Sequence, residues 1–430
     1  MLKKLNFKKI SFLVYGLGST GQSVVKFFKK KKIKDFLVWD DKLKSKNKYE
    51  IKKLSVLKAY LKKVDFIVLS PGINLNKSKY KQELKKYRKK IITDLDLLYL
   101  FNPKLKSIVV TGTNGKSTTC KIIYHLLKEG KFNVKLGGNI GTPVLDLYIK
   151  KGVFVVIEAS SYQLSYSKFV KPNYAILLNI TTDHLDWHGS MANYISSKLK
   201  IFQLQDKNDF ALINISLKKL LKKNKFLSKL FIINSKEYKN IKTKIQNDYL
   251  NSSANNENVK FVYKLSKLLK IKEEIFIDSM NSFRGLPHRY EIFLKKRNIT
   301  FVNDSKATSL RASKLALENN KNIFWIVGGL PKNHDKISFN KIKKNIIYSY
   351  IIGKNINFFK KKLSGKIKFK ISKNLKFAIK NALGDIKLFK NDKNTILLSP
   401  GAASFDQFEN FEKRGNEFKR LSKKYAKKFI

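Results

Sequence analysis

Cysteine is nearly absent from this chain: Cys120 is the only one in 430 residues. That excludes an internal disulfide framework and suits a reducing compartment, so a cytoplasmic location is expected. Long apolar runs are missing too. None reaches the 18 residues that a membrane span needs, and no stable membrane insertion is expected. The N-terminal stretch MLKKLNFKKISFLVYG has basic residues before an apolar run, like a signal peptide. The run is too short, has no small-residue cleavage pattern and ends in a glycine-rich turn, so it reads as a first β-strand. Acidic residues are scarce: 31 Asp and Glu face 91 Lys and Arg, a formal net charge of +60. Such a surplus suits nucleic-acid or anionic-surface binding. It equally suits the compositional drift of an AT-rich genome, with Lys, Asn, Ile, Phe and Tyr all abundant. The lysines are spread along the whole chain, and a phosphate-binding face would cluster them. No nucleic-acid partner is therefore expected. No internal sequence repeat or functional low-complexity tract is present.

With 43 % apolar residues the chain can bury a core in each of about three domains. Apolar strand candidates alternate with helix-length segments throughout, which predicts parallel α/β sheets. The first set is 11–15, 35–40 and 64–70. After a linker at Asn102-Pro103 come 107–112, 153–160, 174–180 and 210–214. A third set follows at 299–305, 322–329, 350–353 and 395–401, and 406–425 has the pattern of a long surface helix. Residues 216–258 are polar and offer no clear element. The expectation is three consecutive α/β domains over 1–102, 103–285 and 286–430: a Rossmann-like one, a P-loop one and a second Rossmann-like one.

Two glycine-rich loops follow strands. GLGSTG (16–21) fits the GxGxxG fingerprint, with Asp40 about twenty residues on. Alone it suggests a nicotinamide or flavin enzyme. TGTNGKST (111–118) is a shortened phosphate loop, with only Thr113 and Asn114 between Gly112 and Gly115. Its backbone N–H groups and helix N-terminus suit phosphates, Lys116 the β/γ-phosphates and Ser117 a Mg²⁺. The bland alternative is a chance glycine turn. Glu158 ends a strand near this loop, where an acid can ligate Mg²⁺ or merely cap the next helix. His184 in NITTDHLDWH and Lys198 in SSKLKIF have, by themselves, ordinary structural explanations. NDSKATS (303–309) groups Asp304, Lys306 and Thr308 at a strand end, which suits an ionic substrate or a helix cap. A P-loop ATPase acting on nucleic acid remains an alternative on charge alone.

Together these stretches resemble the Mur ligases. The likeness rests on VVTGTNGKST, EASSYQL, NITTDHLDWH, SSKLKIF, LPHRYE, NDSKATS, GGLPK and LLSPGAASFDQFENFEKRGNEF, in the family's order and spacing. It runs over nearly the whole chain, including GLGSTG and SPGI. The SxDQFxxFxxRGxxF tail points within the family to the member that adds D-glutamate to UDP-N-acetylmuramoyl-L-alanine. The resemblance implies a monomeric, three-domain, ATP-dependent amide ligase that works through an acyl phosphate, in peptidoglycan precursor synthesis. It implies that Gly112, Thr113, Asn114, Gly115, Lys116, Ser117 and Thr118 hold ATP phosphates, with Asn255 and Asn258 near the adenine. Arg289 and Asp304 would bind ATP from the third domain. Ser117, Glu158, His184 and Lys198 would serve two Mg²⁺ sites, Lys198 as a carbamate. Lys116, Glu158, His184 and Lys198 are thus the expected catalytic set. Gly18, Ser19, Thr20, Asp40, Asp41, Ser70, Pro71, Gly72, Asn139 and His184 would contact the UDP substrate. Lys306, Thr308, Lys332, Ser404 and Phe411 would hold D-glutamate. The chain departs from the family pattern at Ala254, where a His is usual, at Asp41 and Lys42, at Pro331, and at GAAS in place of ACAS.

Overall fold

The computed structural model describes residues 7–41, 48–221, 226–332, 337–389 and 391–429. Among them are three sheets. The first holds β1 (Phe12–Tyr15), β2 (Phe36–Trp39), β3 (Phe66–Leu69) and β4 (Ile91–Ile92) in the order β2-β1-β3-β4, all parallel. β1 is buried along its whole length, as a strand covered on both faces must be. Its side chains alternate between two cores. Phe12 and Val14 pack with Phe28 and Val38, while Leu13 and Tyr15 pack with Ile67 and Leu69. Each such buried side chain contributes about 1.5–3 kcal/mol of hydrophobic stabilisation.

The second sheet is β10-β9-β8-β5-β7-β6, also parallel throughout. Its strands are β5 (Lys106–Thr111), β6 (Val134–Gly138), β7 (Phe154–Glu158), β8 (Tyr174–Leu177), β9 (Phe210–Asn214) and β10 (Lys229–Ile233). The helix Asp94–Phe101 ends just before Asn102, and β5 begins three residues after Pro103. The third sheet is β11-β12-β16-β13-β14-β15. It comprises β11 (Glu291–Lys296), β12 (Ile299–Asn303), β13 (Ile323–Gly328), β14 (Ile346–Ile352), β15 (Phe369–Lys373) and β16 (Asn394–Leu398). β11 pairs antiparallel with β12; the other pairs are parallel. The chain divides into two compact units. One spans 1–247 and 255–283 and holds the first two sheets; the other spans 248–254 and 284–430 and holds the third.

The eleven expected strands are all present, but several elements differ. The polar stretch 216–258 contains β10, paired with β9 in register Phe231 to Leu212. β14 begins at Ile346, four residues before the expected start, because Ile346 pairs with Ile323. The C-terminal helix is Phe411–Phe429 and starts later than 406. The reason is local: the Asp406 carboxylate accepts the N–H of Lys354 at 2.9 Å, and the Asn410 side chain accepts that of Lys413 at 2.8 Å as a helix cap. Of the strands that were not expected, β4 has two residues, β6 and β15 break their apolar residues with lysine or glycine, and β10 carries the run Leu230–Ile233, which the sequence reading passed over.

Candidate functional site

In an open parallel sheet, ligands gather outside the carboxyl ends of the strands, where the strand order reverses. In the second sheet that point lies between β5 and β8. The loop 112–115 leaves β5 there and enters the helix Lys116–Glu129. Gly112 has φ +154° and Gly115 φ +84°. At Gly115 a Cβ would also overlap the Oδ1 of Asn258, so the loop needs glycine on both counts. Asn258 is 5 % exposed and donates to Asn255 Oδ1 at 3.4 Å. The structure therefore brings Asn255, Asn258 and the phosphate loop together. The Ala254 side chain lies outside what the structure describes.

Asn179, at the end of β8, clamps the loop: its Oδ1 accepts the N–H of Asn114 at 2.9 Å, and its Nδ2 donates to the Asn114 carbonyl at 3.1 Å. The Thr113 hydroxyl meets the Tyr194 hydroxyl at 2.9 Å and accepts the N–H of Thr181 at 3.0 Å. Sequence reading missed Asn179 and Tyr194; their placement beside the loops of β5 and β8 was the available signal. Lys116 curls over the loop, donating to the carbonyls of Gly112 at 3.0 Å and Thr113 at 2.8 Å. Ser117 and Thr118 follow in the first helical turn, both buried.

Lys198, from the helix Met191–Gln203, reaches the same loop. It is 1 % exposed and donates to the Gly112 carbonyl at 2.8 Å, with its Nζ 4.6 Å from the centre of the Tyr194 ring. Burial, helped by the nearby Lys116 cation, pushes its ammonium down to about 6. Glu158 ends β7, 2 % exposed. Its Oε1 accepts from Asn139 Nδ2 at 3.0 Å, while Oε2 is buried without a protein partner. Such an orphan carboxylate oxygen is unfavourable unless a cation completes it. That Glu158 oxygen and the Ser117 hydroxyl are oxygen donors of the kind Mg²⁺ takes; among the described residues no group of three or more His, Cys, Asp or Glu could hold a metal alone. Asn139, expected against the UDP substrate, orients Glu158 here. His184 has φ +53°; its Nε2 lies 3.3 Å from Asp183 Oδ2 and its ring 4.9 Å from that of Tyr162. His188, unnoticed in the sequence, is buried among Tyr162, Trp187 and Tyr194 and meets Ser161 Oγ at 3.0 Å. Burial first, then the charges of His184 and Lys198, lower it to about 4.

In the first sheet the order reverses between β1 and β3. Gly16 follows β1 with φ +98°, and the helix Ser19–Lys30 starts directly after Gly18. A Cβ at Gly21 would overlap the Gly16 carbonyl oxygen. That leaves the N–H groups of Ser19 and Thr20 at a helix start, where an anion binds. Ser70, followed by Pro71 and Gly72, leaves β3 and donates its hydroxyl to the Gly16 carbonyl at 2.8 Å. Asp40 accepts the N–H of Leu17 at 2.6 Å, so it braces the loop. Asp41 accepts from Tyr15 OH at 2.7 Å and Trp39 Nε1 at 2.9 Å. Lys42 lies outside the described residues.

In the second unit, the loops after β12, β16 and β13 lie side by side. Asp304 is buried; it accepts the N–H of Tyr290 at 3.1 Å and the Ser399 hydroxyl at 2.7 Å. Burial raises its carboxyl to about 7, against these bonds and the Arg289 charge. The Lys306 ammonium sits 3.5 Å from the centre of the Phe411 ring. Leu330 and Ala403 exchange backbone bonds at 2.8 and 2.9 Å, which ties the loop carrying Lys332 to that carrying Ser404. Lys332 is exposed, Ser404 buried and Thr308 half-buried. Arg414, 1 % exposed, donates to Ser305 Oγ at 3.0 Å and to the carbonyls of Ser305 and Ala402 at 2.8 and 3.0 Å. It fastens the β12 and β16 loops together from beneath, a role the motif alone did not reveal.

Residues 110–277 match the model of the Mur ligase middle domain, and residues 10–92 that of the Mur ligase MurD-like N-terminal domain. The chain is 36 % identical to the UDP-N-acetylmuramoylalanine--D-glutamate ligase of Rickettsia felis, covering 96 % of this chain and 97 % of that one. It is 32 % identical to the ligase of the same name from Francisella tularensis, covering 97 % of each. Among solved structures it superposes on the MurF ligase of Thermotoga maritima in complex with ADP, with a TM-score of 0.58 at 16 % identity over 99 % of this chain and 98 % of that one. MurC of Thermotoga maritima gives 0.56 at 18 % identity, over 97 % and 100 %. Those structures share the fold; the full-length sequence matches go further, and the chain belongs to the Mur ligase family.

Proposed function

We propose that the chain joins D-glutamate to UDP-N-acetylmuramoyl-L-alanine, using ATP, in peptidoglycan precursor synthesis. The observation that carries this is the meeting of Lys116 and Lys198 on the carbonyl of Gly112, in a chain that matches ligases of this reaction over 96 % of its length. A carboxylate is a poor electrophile. Transfer of the γ-phosphoryl group to one of its oxygens releases ADP and leaves an acyl phosphate. The D-glutamate nitrogen then attacks the acyl carbon, phosphate departs with the C–O electron pair, and the nitrogen loses its proton.

The loop 112–115 and the N-terminus of the helix Lys116–Glu129 hold the ATP phosphates, and Lys116 offsets their charge. Asn255 and Asn258 serve the base, and Arg289 and Asp304 are further ATP contacts. Ser117, Glu158, His184 and Lys198 are the residues that would hold Mg²⁺, which neutralises charge on the transferred phosphoryl group. An ammonium would repel that ion. The lowered Lys198 amine is unprotonated near neutrality, so it can add to carbon dioxide, lose a proton and become a carbamate ligand. Gly18, Ser19 and Thr20 take the UDP diphosphate, flanked by Ser70, Pro71 and Gly72. Lys306, Thr308, Lys332, Ser404 and Phe411 take D-glutamate, with Lys332 as the carboxylate clamp. The protein works as a cytoplasmic monomer with domains over 1–102, 103–285 and 286–430. No helix among the described residues is long and apolar enough to cross a membrane.

The test is phosphate release with UDP-N-acetylmuramoyl-L-alanine, ATP and a panel of D- and L-amino acids. Turnover is expected with D-glutamate alone, and DNA or RNA should give no stimulation. Equal rates with other amino acids would defeat the substrate assignment.

A further inference from the structure

One side chain joins the loop after β3 to the turn that carries His184. Asn74 is 8 % exposed, and its Nδ2 donates to the Trp187 carbonyl at 2.8 Å. Its Oδ1 accepts the N–H of Asn76 at 2.8 Å, so both ends of the amide are engaged. Beside it the N–H of Leu75 donates to Tyr166 OH at 3.1 Å, and the Tyr166 ring packs 5.5 Å from that of Trp187. Trp187 lies in the short helix Leu185–His188, and its N–H donates to the His184 carbonyl at 3.1 Å. The indole also packs 4.8 Å from Tyr162, which itself lies 4.9 Å from His184. At its other end the loop begins with the Ser70 hydroxyl on the Gly16 carbonyl. Residues 70–74 thus run from the first glycine loop to the His184 turn, with the Ile73 N–H on the Ser70 carbonyl at 3.0 Å between the two ends.

We propose that Asn74 is a positioning residue: through the Trp187 carbonyl it ties the loop that receives the UDP-linked substrate to the turn that presents His184. This rests on the substrate assignment made above. A tie of this kind transmits register between two loops that grow from different sheets. The other links here are packing and the Leu75 bond, which ends on Tyr166 and not on the backbone of the His184 turn. An amide held at both ends has one allowed orientation, so a filled substrate loop fixes the turn.

The test uses the full chain and steady-state phosphate release. Asn74→Asp keeps the oxygen that accepts from Asn76 but replaces the donor with a second oxygen facing the Trp187 carbonyl. Asn74→Ala removes both bonds, and Tyr166→Phe removes the companion bond while leaving the tie. With the UDP substrate saturating, Asn74→Asp and Asn74→Ala should each lower kcat about tenfold, as expected when a reacting group loses its placement. Both should raise the KM for the UDP substrate, with the KM for ATP within about twofold of wild type; Tyr166→Phe should keep kcat. Thermal melts accompany each variant, so a folding defect is read separately. If Asn74→Asp turns over like wild type and only Asn74→Ala is impaired, the Asn76 turn matters and the tie does not. Equal loss in Tyr166→Phe would assign the effect to the Leu75 bond and overturn the proposal. A wild-type chain inert toward this substrate would instead overturn the functional assignment, and the proposal with it.

Discussion

At the residue scale, the two units treat buried charge differently. Lys198 is pushed toward neutrality where it donates to the Gly112 carbonyl, whereas Asp304 is pushed toward its protonated form by burial. The second case has a readable consequence. The unfolded Asp304 releases its proton near 3.8, and the folded one holds it to about 7. Between those values the folded state binds more protons, so this group's contribution to stability falls as pH rises and levels off above 7. Asp304→Asn carries no such titration. In nucleotide-free protein, the Tm of Asp304→Asn relative to wild type should therefore rise between pH 5 and pH 8. A difference that stays flat, or falls, would show that the carboxyl is ionised across that range.

At the scale of the element, glycines mark where two pieces of backbone meet. Gly415 lies inside the helix Phe411–Phe429, where helix propensity alone favours alanine by about 1 kcal/mol. The structure reverses that sign. A Cβ at 415 would overlap His288 Nδ1 and come within 3.0 Å of the Asn303 amide, in a cluster where Asn303 Nδ2 bonds both His288 and Glu291. His288 is itself buried with φ +63°, so the ring has little room to retreat. Gly415→Ala should lower Tm by several degrees, in line with overpacking penalties of about 1–3 kcal/mol. A melt at or above the wild-type value would mean the helix can shift away from His288. The same logic made the phosphate loop easy to recognise, since Gly112 and Gly115 announce their backbone in the sequence. The Asn74 tie announces nothing there, because the Trp187 carbonyl belongs to a residue 113 positions away.

For the whole molecule, charge is the main global property. With 91 basic and 31 acidic residues, at least 60 cations have no carboxylate of their own. Lysines also lie along aromatic faces, such as Lys106 at 5.6 Å from the Phe154 ring and Lys229 at 5.5 Å from that of Phe210. Like-charge repulsion of this size opposes compaction and is screened over about 10 Å at 0.1 M salt. Raising NaCl from about 20 to about 300 mM should raise Tm by a few degrees, the opposite of what loss of surface ion pairs would do. A falling Tm would show that ion pairs, and not repulsion, dominate the salt response.

What the sequence determined by itself was whatever is encoded locally. The period of apolar runs located eleven strands, and glycine spacing marked both glycine-rich loops at their strand ends. The motif order carried the family. Tertiary structure decided what lies between distant segments. It paired β10 with β9 inside a stretch that is otherwise polar. It put Asn139 on Glu158, Asn258 against Gly115 and Arg414 beneath Ser305, pairings that no spacing records. Burial did the rest. Lys198 is one of many lysines until the fold removes its water and sets its amine beside Lys116, and only that desolvation gives it chemistry of its own.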